Sequence, residues 1–153
     1  MTALAREVTQ EWVEQALAKR IDLGFEGTAE PALVEGSRLL LHELLNNLVD
    51  NAVRYTPPGG KVTARVTARD FVAVDIEDNG VGISENDREL IFERFYRVTG
   101  TEAAGTGLGL PIVRSIASQH RASVQVRSNP AERGSVFTVL FPRLAVEPLV
   151  RAA

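Results

Sequence analysis

The chain has 153 residues, 44% of them hydrophobic, which predicts one soluble domain with its own core. Its formal net charge of −3 at pH 7 disfavours non-specific binding to nucleic acid. Its lack of cysteine excludes disulfides, zinc thiolates and a cysteine nucleophile. We expect a cytoplasmic domain without membrane contact, because no apolar run approaches the roughly 20 residues of a membrane span and the first residues lack a signal-peptide pattern.

The first predicted elements are a helix and two strands. Apolar residues at helical spacing predict a helix at residues 4–19, and alternating apolar and polar residues predict strands at 21–25 and near 32–34. Ser37 is an N-cap residue for a long helix. This helix is expected to end at residues 56–60, because the prolines and glycines there do not continue a helix.

Hairpins and shorter helices follow. Two alternating stretches at residues 61–67 and 71–77 predict neighbouring strands, and a capping-box-like segment predicts a short helix at 84–92. The remaining expected elements are a polar loop at residues 98–106, a helix at 110–120, strands at 123–127 and 135–141, and a C-terminal tail at 143–153. This order predicts an α+β fold, a two-layer sandwich with a mixed, mainly antiparallel sheet, in one domain over residues 1–142.

The long helix carries an unusual polar stripe. At about 100° per residue, Glu43, Asn47, Asn51 and Arg54 lie on one side, opposite a stripe of leucines. Amide and carboxylate oxygens are hard ligands suited to Mg²⁺, and a guanidinium suits phosphate. A solvated helix surface without a ligand is the other interpretation, and this segment alone does not decide between them.

Two glycine-containing segments are further candidates for ligand contacts. In Asp78-Asn79-Gly80-Val81-Gly82, a carboxylate at a strand end can accept a hydrogen bond from an exocyclic amine, although these residues also form ordinary turns. Gly105-Thr106-Gly107-Leu108-Gly109-Leu110 leads into a helix, whose N-terminus suits phosphate. It lacks the lysine of a P-loop and the third glycine of a dinucleotide-binding fingerprint.

Aromatic residues precede the polar loop. The aromatics of Phe92-Glu93-Arg94-Phe95-Tyr96-Arg97 are expected in the core, at the base of the loop. Arg97 is placed either over a phosphate or in solvent. Gly134-Ser135-Val136-Phe137 is expected only to start a strand.

Four of these motifs, in this order, resemble the catalytic ATP-binding domain of sensor histidine kinases, in the GHKL ATPase superfamily. Residues 47–56 resemble its N box, 78–82 its first glycine box, 92–95 its F box and 105–110 its second glycine box, with 134–137 as a weak third. Each motif alone is weakly specific, but their order and spacing agree over about residues 20–142.

The resemblance implies a Bergerat ATP-binding fold, with a pocket between sheet and helices under a lid at residues 96–107. By similarity, Asn47 and Asn51 hold Mg²⁺ against the phosphates, and Arg54 binds phosphate. Tyr55 would stack on adenine, and Asp78 would bind its exocyclic amine. The other implied nucleotide contacts are Gly80 and Gly82, which make room for the ring, Arg97 and Thr106, and the backbone of Gly107, Leu108 and Gly109 around the phosphates.

The resemblance assigns catalytic positions to Asn47, Arg54 and Glu43, the last with an open role in orienting a water or a metal. Superfamily ATPases carry their base glutamate at the position of Asn47, so we expect a site that holds ATP for transfer to a histidine rather than for hydrolysis. A GHKL ATPase of another branch and a non-catalytic nucleotide-binding regulatory module are the alternatives.

The acceptor histidine of such kinases lies in a separate two-helix dimerisation domain. His42-Glu43-Leu44 imitates the start of the acceptor motif but lies inside the N box, so His42 is expected to be structural or solvated. Expected partners are ATP, the dimerisation domain of the same kinase and a response regulator, with the isolated domain monomeric and the parent protein anchored in the bacterial inner membrane. Arg121 follows His120 where many relatives have glycine, at a helix end that favours a left-handed conformation.

Overall fold

Four α-helices and five β-strands lie within residues 1–98, 106–131 and 133–145, the part of the chain that the computed structural model describes. The helices are α1 (Thr2–Glu11), α2 (Val13–Ala18), α3 (Arg38–Tyr55) and α4 (Gly109–Gln119), and a 3-10 turn covers Leu90–Phe92. The strands are β1 (Asp22–Glu26), β2 (Lys61–Ala68), β3 (Phe71–Asp78), β4 (Ser123–Ser128) and β5 (Ser135–Pro142). In these described ranges, no helix has the length and apolar character that crossing a bilayer requires.

The strands form one mixed sheet in the order β1-β2-β3-β5-β4. Strands β1 and β2 pair in parallel, whereas the other three neighbouring pairs are antiparallel. A parallel pair needs a crossover connection, and α3 supplies it between β1 and β2. The predicted α+β class, with a mixed and mainly antiparallel sheet, is confirmed.

One face of the sheet packs against the helices. Alternate residues of β3, Val72, Val74 and Ile76, are buried in the same core as the leucines of α3. Because side chains alternate along a strand, the next residue on this face is Asp78. The end of β3 therefore carries a carboxylate into the space between sheet and helices, where the apolar row stops.

Helix α3 is fixed at both ends. Ser37 caps its N-terminus, as predicted, by accepting a hydrogen bond from the Leu40 N–H at 3.4 Å. At its C-terminus, Lys19 Nζ donates to the carbonyls of Val53 and Arg54, at 2.8 and 2.7 Å. A cation at this end also matches the negative pole of the helix dipole.

The end of α4 is joined to the start of α3 by a histidine. His120 Nε2 accepts a hydrogen bond from the Ser37 N–H at 3.2 Å, and its Nδ1 lies 2.7 Å from the Ile116 carbonyl. These partners assign the neutral ring protonated on Nδ1. Helices α3 and α4 are thus linked directly.

Three local predictions were wrong. The first helix is divided at Trp12, whose indole N–H donates to Asn46 Oδ1 of α3 at 2.8 Å. Residues 32–34 form no strand, because the Leu33 carbonyl pairs with the Leu144 N–H at 3.0 Å instead of a sheet neighbour. Ser84 does accept a hydrogen bond from the Asp87 N–H, but the segment continues in turns to the 3-10 turn rather than in an α-helix.

Two helices end on an arginine in the left-handed conformation. Arg20, after α2, has φ of 58°, and Arg121, after α4, has φ of 54°. Beyond Arg121, the Ala122 N–H donates to the Ala117 carbonyl at 2.9 Å, which closes a Schellman turn. The helix therefore ends in the left-handed conformation, and Arg121 adopts it at the steric cost of its Cβ.

We expect Arg121→Gly to raise the free energy of unfolding by about 1 kcal/mol, because glycine adopts this conformation without the Cβ clash and loses only part of the gain through its freer unfolded chain. Arg121→Ala is the control. It removes the exposed ion pair with Glu35, 3.4 Å long, but keeps the strained conformation, so a change below about 0.5 kcal/mol is expected. Urea unfolding at pH 7 measures both variants, and a less stable glycine variant would contradict the strain.

Candidate functional site

A cavity of about 230 Å³ lies between α3, the start of α4 and the end of β3. One water molecule needs only roughly 10–15 Å³, so this cavity is of ligand size. Ten of the predicted site residues line it: Asn47, Asn51, Arg54, Tyr55, Asp78, Gly82, Arg97, Thr106, Gly107 and Gly109. Three others, Glu43, Gly80 and Leu108, lie outside its lining.

One wall is the polar stripe of α3. Asn47, Asp50, Asn51 and Arg54 all line the cavity from successive turns of the helix. Arg54 Nη2 donates to both carboxylate oxygens of Asp50, at 3.0 and 2.9 Å. This half-buried pair balances the Asp50 charge, so the wall presents amide oxygens beside a paired carboxylate.

Asn47 is held in one orientation by Glu43. Asn47 Nδ2 donates to the Glu43 carbonyl and to Glu43 Oε1, both at 2.9 Å. A Cβ on Gly109 would lie 3.0 Å from Asn47 Oδ1, so the amide oxygen faces the start of α4 and glycine lets it approach. Glu43 itself is exposed and acts on the cavity through Asn47. An oxygen oriented in this way fits a hard cation such as Mg²⁺.

The opposite wall is the backbone at the start of α4. Thr106, Gly107 and Gly109 line the cavity, and Leu108 is the N-cap residue. The helix continues for 11 residues, so it presents its first N–H groups and its positive dipole end here. Pro111 lies in the first turn, where a missing N–H breaks no helical hydrogen bond. This wall fits an anionic group such as phosphate.

Asp78 supplies a buried carboxylate at the other end of the cavity. It is 5% exposed, and its Oδ1 accepts hydrogen bonds from the Gly80 N–H at 2.9 Å and the Ser135 N–H at 3.3 Å. Burial raises the pKa of the Asp78 carboxyl, and the two N–H donors partly oppose that increase. The Glu77 charge raises this pKa further. Asp78 is thus a desolvated hydrogen-bond acceptor that lines the cavity.

The two predicted glycines after β3 have different surroundings. A Cβ on Gly80 would lie 2.5 Å from the Tyr55 carbonyl oxygen, so Gly80 lets the end of α3 approach the turn. Gly82 lines the cavity with φ of 77°, and its nearest neighbour is the backbone of Gly134. The segment at Gly134 therefore does more than start a strand, because its residues Ser135 and Phe137 line the cavity.

The aromatic residues before the loop separate into core and surface. Phe92 is buried and packs edge-to-face on Phe137, with ring centroids 6.4 Å apart. Phe95 is 72% exposed with φ of 63°, so its assignment to the core was wrong. Its N–H donates to the Gly107 carbonyl at 3.0 Å, which brings the two ends of the intervening segment together.

Tyr96 lines the cavity, and its hydroxyl donates to Asp87 Oδ1 at 2.5 Å. Of the predicted lid, residues 99–105 lie outside the described residues.

The apolar part of the lining was missed in the sequence. These residues are Val81, Ile83, Ile91, Val98, Leu110, Pro111 and Phe137. Most are isolated apolar residues in loops and turns, where no periodic pattern indicates which way they face. Asp50 was also missed, although its spacing of four residues from Arg54 is the helical ion-pair spacing and was available as a signal.

His42 lies on another surface, where it pairs with α1. Its Nε2 is 3.0 and 3.1 Å from the two carboxylate oxygens of Glu11. Glu7 completes a group of three ligand-type side chains within 4.8 Å, and Arg38 already pairs with Glu7. His42 is thus a half-exposed residue paired with Glu11, and its structural or solvated role stays a prediction.

The sequence matches a known family profile and long stretches of known kinases. The profile of the family described as histidine kinase-, DNA gyrase B- and HSP90-like ATPase matches residues 36–145. The sensor histidine kinase RppB of Synechocystis sp. is 37% identical over 153 residues, covering 97% of this chain and 33% of RppB. The chain thus spans about a third of the length of that curated relative.

Solved structures of histidine kinases share the fold. The nucleotide-free catalytic domain of the histidine kinase ThkA superposes with a TM-score of 0.82 at 32% identity, covering 94% of this chain and 92% of that one. Full-length ShkA in complex with AMPPNP gives 0.83 at 26% identity, covering 99% and 32%. ThkA in complex with the response regulator protein TrrA gives 0.78 at 28% identity, covering 94% and 40%.

We expect Asp78→Asn to raise the free energy of unfolding of the ligand-free domain at neutral pH. The variant keeps the oxygen that Gly80 and Ser135 bind and removes a charge that burial disfavours. Because the pKa of Asp78 is raised in the native state, this state binds more protons than the unfolded chain from about pH 3.9 up to the raised value. The advantage of the variant should therefore grow as pH rises through that window and stay constant above it.

Urea unfolding of both proteins between pH 3.5 and 7 measures this difference. A stability advantage that shrinks as the pH rises would contradict a desolvated charge at Asp78.

Proposed function

We propose that this chain, which belongs to the family of histidine kinase-, DNA gyrase B- and HSP90-like ATPases, binds Mg-ATP and donates the γ-phosphoryl group to a histidine on a separate domain. It is an ATP-binding catalytic domain of the sensor histidine kinase type. One arrangement carries the proposal: a single cavity has a buried carboxylate among apolar side chains at one end, and at the other the Asn47 amide oxygen faces a helix N-terminus.

Adenine would occupy the end of the cavity at Asp78. The carboxylate is a desolvated acceptor, and an exocyclic amine is the donor that satisfies it. Ile83 and Phe137 supply apolar contacts for a flat ring, and Gly82 leaves room for it. Tyr55 lines the same cavity and is our candidate for stacking on the base.

The phosphates would lie between α3 and the start of α4. Asn47 and Asn51 are the candidates to hold Mg²⁺, which when bound neutralises phosphate charge. The backbone from Gly107 to Gly109 supplies the helix N-terminus, and Arg97 supplies positive charge from the cavity wall. Arg54 is the other candidate to bind phosphate, from within its ion pair with Asp50. The chemical step then depends on positioning and electrostatic stabilisation rather than on a covalent intermediate with this domain.

The acceptor would belong to a dimerisation domain of the same kinase, and a response regulator would take the phosphoryl group next. The chain's own histidines support this, because His42 pairs with Glu11 and His120 links α4 to α3, both away from the cavity lining. The complex of the similar kinase ThkA with TrrA supports a response regulator as partner. A parent protein anchored in the membrane, with this domain in the cytoplasm, is part of the same proposal.

Titration with ATP, with and without Mg²⁺, tests the binding site. We expect Asn51→Ala to remove most of the Mg²⁺-dependent gain in affinity, on the order of 10-fold, because a hard ligand is lost. We expect Asp78→Asn to weaken ATP binding about 10-fold or more with and without Mg²⁺, because the bond to a charged acceptor is lost. Asn86→Ala, on an exposed turn, is the matched control. If both site variants bind ATP like the parent, the site is misassigned.

Transfer in trans tests the reaction. Incubated with radiolabelled ATP, the chain alone should label neither of its histidines, whereas adding the matching dimerisation domain should label that domain's histidine. Replacing the acceptor histidine with glutamine should abolish the label, and Asn51→Ala should reduce it. Steady ATP hydrolysis by the isolated chain, with no labelled acceptor, would instead favour an ATPase of another branch.

A further inference from the structure

Asn129 is a buried amide directly behind the proposed adenine end of the cavity. It follows β4, at the start of the connection to β5, and is only 8% exposed. It does not line the cavity and belongs to none of the motifs found in the sequence. A buried polar side chain needs hydrogen-bond partners, and these partners show what it holds in place.

Both side-chain polar groups of this residue and its backbone N–H have partners. Asn129 Nδ2 donates to the Asp78 carbonyl at 3.1 Å and to Glu77 Oε1 at 3.2 Å. Its Oδ1 accepts from the Ala131 N–H at 3.0 Å, and its own N–H donates to the Gly134 carbonyl at 3.1 Å. The side chain thus donates two hydrogen bonds and accepts one. A carboxamide can do this, whereas a carboxylate can only accept.

The position of these bonds coincides with the end of the sheet ladder. The last paired residues of β3 and β5 are Glu77 and Val136, so Asp78 lies one residue beyond the pairing. Asn129 supplies the hydrogen bond to the Asp78 carbonyl where the neighbouring strand no longer does. The peptide that carries the Asp78 side chain is thereby fixed from behind.

The Asn129 side chain also binds the neighbouring carboxylate, Glu77. Glu77 is held by Asn129 on one oxygen and by Arg65 Nη1 on the other, at 3.3 Å. The Glu77 side chain lies outside the cavity lining, on the face of β3 opposite Asp78, because side chains alternate along a strand. Asn129 thus contacts both the Glu77 carboxylate and the Asp78 carbonyl.

We propose that Asn129 is a positioning residue for base selection: it holds the Asp78 peptide so that the carboxylate meets the 6-amino group of adenine. This inference rests on the proposed function, since it needs adenine at Asp78. A purely structural role predicts something different, because a disturbed hairpin would weaken the binding of every nucleotide equally. A ligand without the 6-amino group distinguishes the two roles, because only a positioning role predicts that its affinity stays unchanged.

The test compares Mg-ATP with the triphosphate of purine riboside, which lacks the 6-amino group, by calorimetric titration. We expect Asn129→Ala to weaken ATP binding about 5-fold, as for the loss of one neutral hydrogen bond, and to leave the analogue's affinity within about twofold. In an Asp78→Asn background, Asn129→Ala should add no further loss for ATP. Asn86→Ala is again the control.

Equal losses for both nucleotides, or unchanged ATP affinity in a folded variant, overturn the inference. If Asn129→Ala does not fold, Asn129→Ser, which keeps one donor in a smaller side chain, gives the same comparison. Failure of the proposed function is seen separately: Asp78→Asn would then fail to weaken ATP relative to the analogue. If Asp78→Asn discriminates and the Asn129 variants do not, only the inference about Asn129 is overturned.

Discussion

Strand β3 brings the Asp78 carboxylate into the space between sheet and helices, and the neighbouring backbone is arranged around the cost of burying it. The Gly80 and Ser135 N–H groups bind one of its oxygens, and Asn129 binds its carbonyl. A Cβ on Gly134 would lie 2.1 Å from that carbonyl, so the hairpin comes this close only because glycine occupies the position. These contacts offset the desolvation in part, and a ligand amine would supply what remains.

The other end of the cavity depends on how α3 and α4 are held together. Lys19 binds the last carbonyls of α3, and His120 joins the last turn of α4 to the first residue before α3. Burial lowers the pKa of Lys19, with a further contribution from the Arg54 charge, so this contact also carries an electrostatic cost. With both ends of α3 fixed, the Asn47 oxygen faces the start of α4 across a gap that Gly109 keeps open.

Periodic patterns in the sequence predicted most of this architecture. The 3.6-residue stripe on α3 separated the leucines of the core from the amides of the cavity, and alternation predicted the strand that Asp78 follows. The surroundings of Gly80 and the exposure of Phe95 were not predictable, because both depend on contacts between segments distant in the chain. Asn129 was missed for the same reason: a lone asparagine beside a proline resembles any other turn residue until its partners are known.

The carboxylates of the described cavity wall support the proposal that the site holds ATP for transfer rather than for hydrolysis. Among the described lining residues, carboxylates occur at Asp50 and Asp78 alone. Arg54 binds both oxygens of Asp50, and Asp78 lies at the apolar end, engaged by backbone N–H groups. Glu43 supports Asn47 from outside the lining. In the described part of the wall, no carboxylate beside the phosphate position is therefore placed to accept a proton from water. Under the proposed function, a site of this composition would position a phosphoryl group and stabilise its charge, and the acceptor nucleophile would come from a separate domain.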